Sequence, residues 1–93
     1  MSKASRPTRI LDALAEAFPD AQCDLEDESH LHAGHAGARE GKGHFRLRIT
    51  SEVFSGLLPL ARHRRIYAAL GELMTSDIHA LSIDAQTPTE RQR

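Results

Sequence analysis

Between Glu28 and His44 the chain reads E-S-H-L-H-A-G-H-A-G-A-R-E-G-K-G-H, seventeen residues holding four of its six histidines and four of its six glycines. Glycine weakens helix and strand interiors alike, so no regular element readily absorbs this run. The fold must therefore lay its elements on either side of a long polar loop. Loops carried by a rigid scaffold are also where binding and catalytic side chains collect.

The flanks have clear periodicity. From Pro7 to Phe18 the residues Ile10, Leu11, Leu14, Ala17 and Phe18 recur at helical spacing, with Ser5 as the N-cap, Pro7 in the first turn and Pro19-Asp20 as the stop. Ala21 to Glu28 alternates weakly, Cys23 and Leu25 against Gln22, Asp24 and Glu26, and predicts a strand. After the loop, His44 to Ser51 alternates cleanly, Phe45, Leu47 and Ile49 against Arg46, Arg48 and Thr50. Val53, Phe54, Leu57 and Leu58 form an apolar patch around Gly56, read as one short turn of helix. Pro59 to Thr75 predicts the longest helix, with Leu60, His63, Ile66, Tyr67, Leu70, Leu73 and Met74 on its core stripe and Arg62, Arg65, Ala69 and Glu72 outside it. Ile78 to Ala85 returns to strand character, Leu81, Ile83 and Ala85 on one face. The polar residues 89–93 are expected to be a loose tail on an ordered core of about 7–88.

The order α-β-β-(short α)-α-β predicts an α+β domain: a three-stranded mixed sheet with helices on one face. The first two strands, joined by a loop, should be antiparallel, and the second and third, joined through a helix, parallel. The loop enters the second strand at the edge where a parallel third strand begins. His79, opening that third strand, is thereby brought beside the loop histidines. By simple alternation it shares a face with Leu81 and Ile83, which would make it a histidine at the rim of the core.

Ninety-three residues form one domain over the whole of 1–93, and an apolar share of 40% with 27% charged residues is that of an ordinary globular chain. No run approaches the roughly 18 apolar residues of a membrane helix, and the residues before the first helix are too few and too polar for a signal, so a cytoplasmic chain without membrane contact is expected. The lone Cys23 excludes an internal disulfide and any metal site built from this chain's cysteines alone. A net charge of −1 gives no global pull toward nucleic acid, although Arg62, Arg64 and Arg65 at the start of the long helix offer a local basic face. Gly34-His35-Ala36-Gly37 spells the backbone-gripping loop of KH domains, but it lies between strands and has no basic residue inside. No nucleophile with a positioned base, phosphate-binding loop or pair of buried carboxylates stands out, so an enzyme is not expected.

Five segments in order, D-E-S-H-L-H at 27–32, G-H-F-R-L-R-I-T-S at 43–51, F-S-G-L at 54–57, R-H-R-R-I-Y at 62–67, and H-A-L-S-I with T-P at 79–88, resemble the BolA proteins. The resemblance implies a fold similar to the type II KH domain and a role as a non-enzymatic adaptor in iron–sulfur or iron and redox homeostasis, partnered by a monothiol glutaredoxin. In some bacteria it also implies transcription regulation, with DNA as the alternative partner. It further implies a [2Fe–2S] cluster shared with glutaredoxin and glutathione. In that family one ligand comes from the histidine opening the last strand, here His79. Another comes from the loop, best matched by His32. The loop is extended by H-A-G-H-A-G-A-R-E-G-K relative to the family, which leaves His35 and His30 as alternatives. Arg91 stands where the family commonly has Trp. His44 is either a group just behind the ligands or a merely exposed residue, His63 a hydrogen-bonded core histidine, and Cys23 a small hydrophobe. Without its cluster the chain is expected to be a monomer or a weak homodimer.

Overall fold

A computed structural model describes residues 4–29 and 42–92. It contains α1 (Arg6–Ala17), β1 (Gln22–Asp27), β2 (Gly43–Thr50), a 3₁₀ turn (Glu52–Phe54), α2 (Pro59–Leu70), α3 (Leu73–Ser76), β3 (Ile78–Gln86) and α4 (Pro88–Arg91). The strand order is β1-β2-β3, with β1 antiparallel and β3 parallel to β2, as the connections required. Among the described residues no helix is long and apolar enough to cross a membrane.

The core follows the two periodicities. Ile10 and Leu14 of α1 and Ile66 and Leu70 of α2 meet Phe45, Leu47 and Ile49 of β2, with Phe18, Phe54 and Ile78 closing the cluster. Each such side chain removed from water contributes about 1.5–3 kcal/mol. Ser5 caps α1, its hydroxyl accepting from the Thr8 N–H. The other face of the sheet is open and polar, and its arginines alternate with acids: Arg46 lies 3.3 Å from Glu28, and Arg48 lies 3.7 Å from Asp84.

Three expectations need correction. The core face of α2 is Arg62, Ile66, Ala69 and Leu70, whereas Leu60 is 60% and Tyr67 41% exposed. Arg62 turns inward because each of its three guanidinium nitrogens finds an acceptor: the Leu57 and Ala85 carbonyls at 2.8 and 3.0 Å, and both Glu90 oxygens at 2.6 and 2.9 Å. The long helix is also interrupted. Gly71, at φ 53°, takes a conformation that side chains resist, ends α2 and leaves Leu73–Ser76 as a separate turn. As far as Gln92 the tail is not loose, since Thr87 and Glu90 form a reciprocal capping box that starts α4, and Glu90 then reaches Arg62.

Candidate functional site at the histidine edge of the sheet

Ile78 and the set Leu81, Ile83 and Ala85 lie on opposite parities of one strand, yet all pack against the helix layer. A regular strand cannot do this, because successive side chains point to opposite faces. The chain resolves the conflict with one extra residue: Gly43 pairs with Ile78 and His44 with Ala80, so His79 has no opposite number. The bulge turns His79 outward, where it is exposed, rather than onto the core rim that simple alternation implied.

The bulge sets His79 over His44, with ring centroids 4.9 Å apart and planes tilted by 46°. His44 is only 7% exposed, so of its two sequence readings the merely exposed residue is the one that fails. Its backbone is fixed on the β1 side: the His44 N–H donates to Ser29 Oγ at 3.1 Å, and its carbonyl accepts from the Glu28 N–H at 2.8 Å. Ser29 is held in turn by an N–H donated to Asp27 Oδ1 at 3.0 Å. The described chain therefore stops at Ser29 and resumes at Lys42 beside the histidine pair. His30, His32 and His35 lie between these two, outside the described residues.

The opening of β3 is tied down as well. The Gly43 N–H donates to the Asp77 carbonyl at 2.8 Å. The Asp77 carboxylate accepts from Ser76 Oγ at 2.5 Å, from Arg6 Nε at 3.2 Å and from Arg9 Nη2. The Ser76 hydroxyl and then the two arginines hold its pKa below the usual carboxylate range against the opposing effect of burial. The first turn of α1 thus fixes the residue two before His79. Neither Ser29 nor Asp77 stood out in the sequence, although D-x-S at 27–29 is an Asx-turn spelling that marks the loop entrance.

Two imidazoles this close can present nitrogens to one ion or to adjoining atoms of a cluster. Among the described residues no three His, Cys, Asp or Glu side chains converge. Further ligands would have to come from 30–41 or from another molecule. Cys23 packs on the helix side of the sheet beside the core, and burial, then Asp24, pushes its thiol pKa up, away from thiolate chemistry. His63 is half-buried on α2, its ring edge toward Tyr67 at 6.4 Å. Of the basic group at the start of α2, Arg64 and Arg65 are exposed, while Arg62 is 8% exposed and bound to Glu90. Arg91 lies against the open face of the sheet, donating to Asp84 Oδ2 at 2.8 Å and Thr50 Oγ1 at 3.0 Å.

A family model described as BolA-like protein matches residues 14–90. SufE-like protein 1, chloroplastic/mitochondrial, of Arabidopsis thaliana is 43% identical over 91 residues, covering 92% of this chain and 24% of that protein. BolA-like protein 1 of Homo sapiens is 42% identical over 77 residues, covering 83% of this chain and 54% of that one. The chain thus spans about half or less of these relatives. Among solved structures, the BolA domain of SufE1 from Arabidopsis thaliana superposes with a TM-score of 0.81 at 42% identity, covering 96% of this chain and 99% of that domain.

Proposed function

Since the chain belongs to the BolA-like family, we propose that it is a non-enzymatic adaptor that binds a monothiol glutaredoxin and completes the ligand set of a shared [2Fe–2S] cluster. His79 is the ligand from the sheet and His32 the ligand from the loop, with His35 and His30 as its alternates. The observation that carries this reading is the bulge: it frees one imidazole from the ladder and sets it against a second, tilted ring, beside Ser29 and Lys42 that flank the histidine-rich stretch of the sequence. An all-nitrogen donor set on one iron suits such a cluster, the sulfur coming from glutaredoxin and glutathione, and imidazole in place of thiolate raises its potential.

In this role His79 binds, His44 backs it from the buried side, and the Asp77 and Ser29 hydrogen bonds hold both in place. Reconstitution with a monothiol glutaredoxin and glutathione tests the reading through visible absorption spectra. His79→Ala should shift the spectrum strongly and His32→Ala should shift it as well. Spectra unchanged in both variants would reject the ligand assignment.

A second reading, binding to DNA, rests on the exposed pair Arg64 and Arg65. With Arg62 engaged internally, two phosphate contacts remain, and the slope of log affinity against log salt should be about −1.8. No saturable binding at low salt would end that reading.

A further inference from the structure

We propose that β3 is a self-association edge, at which two copies of this chain pair antiparallel about Ser82 and join their sheets. The proposal starts from which backbone groups of β3 are in use. The Ser51 N–H donates to the Gln86 carbonyl at 3.0 Å, and Gln86 pairs with Thr50. Even-numbered residues from Ala80 to Gln86 therefore aim their backbone groups at β2, and Leu81, Ile83 and Ala85 aim theirs away. Arg62 bears this out from the far side, donating to the Ala85 carbonyl at 3.0 Å. The Ala85 N–H and the N–H and C=O groups of Leu81 and Ile83 remain, five groups that meet no partner among the described residues.

The two edges of the sheet differ in the way edge strands usually do when one is defended and the other is used. β1 carries Asp24, Glu26 and Asp27. β3 has no Asp, Glu, Lys or Arg from Ile78 to Ile83. The helix layer also covers the two strands unequally: Phe45, Leu47 and Ile49 of β2 are at most 3% exposed, whereas Leu81, Ile83 and Ala85 are all only half-buried.

The occupant follows from the sequence of the strand. A two-fold interface requires that if residue i faces residue j, then j faces i. About Ser82 the outward-aimed residues match: Leu81 faces Ile83 of the second copy and Ile83 faces its Leu81, each exchanging both backbone hydrogen bonds. Their side chains extend the same apolar face. Ser82 faces itself as a non-hydrogen-bonded pair with Cα atoms about 4.5 Å apart. On the open face, Asp84 lies opposite Ala80 of the second copy, next to the bulged His79, which places an acid beside an imidazole. The bulge at one end and Arg62 on Ala85 at the other limit the pairing to a short stretch, so the dimer is weak.

The test is sedimentation equilibrium of the chain alone, in chelator so that histidine-bound metal cannot bridge copies, over about two decades of concentration, enough to bracket the midpoint of a weak dimer. Wild type should pass from one chain to two. Ser82→Lys and Ser82→Asp, at an exposed position that leaves the fold intact by circular dichroism, put like charges directly opposite each other, and each should stay monomeric. An equimolar mixture of the two should restore a one-to-one dimer. A wild type that is monomeric throughout, a dimer that survives in either variant, or a mixture that fails to pair would each overturn the proposal. Because no cluster or glutaredoxin is present, these outcomes are independent of the cluster assignment.

Discussion

Gly43 shows how a single residue can hold the site together. A Cβ added there would lie 2.5 Å from Phe45 Cε2, 2.8 Å from Phe45 Cζ and 2.9 Å from Ser29 Oγ. Neither neighbour is free to give: Phe45 is 3% exposed in the core, and Ser29 Oγ holds the His44 N–H. Gly43→Ala should therefore cost about 1–3 kcal/mol as an overpacking change. For a domain of this size that lowers Tm by about 4–8 °C per kcal/mol, read by thermal denaturation. A Tm within a degree of wild type would mean that the Phe45 ring has room to move. Nothing in the sequence separates Gly43 from the neighbouring loop glycines, because its requirement comes from a ring two residues on and a hydroxyl fourteen residues back. His79 is the opposite case. Its outward turn can be read from the sequence once Ile78 and Leu81 are both required in the core, since apolar residues of opposite parity in one strand demand an extra residue between them.

At the scale of elements, the strands and their directions were legible because they rest on local alternation and on the length of the connections. The face of α2 was not. A hydrophobic stripe leaves a charged residue such as Arg62 outside and runs through Leu60 and Tyr67, both exposed in the fold. A hydrophobicity pattern cannot register a partner twenty-eight residues away, although T-P-T-E at 87–90 spells the capping box that positions it. Arg62→Ala should cost about 3 kcal/mol, the lower end for breaking a buried pair, since Glu90 is 40% exposed. Arg64→Ala should stay within about 0.5 kcal/mol. Urea unfolding measures both, and adding Glu90→Ala to Arg62→Ala should cost less than the two single effects summed, as residues in one network are coupled. Additive losses would show that the bidentate contact contributes nothing of its own.

At the scale of the whole molecule, the element order and topology come from local signals, while the segments are closed onto one another by three carboxylates that no local pattern reveals. Asp20, after α1, accepts from the Ser51 hydroxyl and the Glu52 N–H, both at 2.8 Å. Asp77, before β3, holds Arg6 and Arg9 of α1, and Glu90 of α4 holds Arg62 of α2. Each has its pKa lowered: Asp20 chiefly by the Glu52 N–H, Asp77 by the Ser76 hydroxyl, and Glu90 by Arg62, down to about 2. A folded pKa below the unfolded one means that the unfolded chain binds more protons across the interval between them. Stability then rises with pH through that interval and is fully present above the unfolded value. For Glu90 the interval runs from the ordinary 4.5 down to about 2, and the two aspartates act in the same direction from 3.8 downward. Urea midpoints should therefore fall steeply once the pH drops through this range. Glu90→Gln, which removes one titrating group, should start from a lower midpoint at neutral pH and fall less steeply in acid. A wild-type midpoint unchanged from neutrality down through that range would show that these contacts persist in the unfolded chain or add nothing to the folded one.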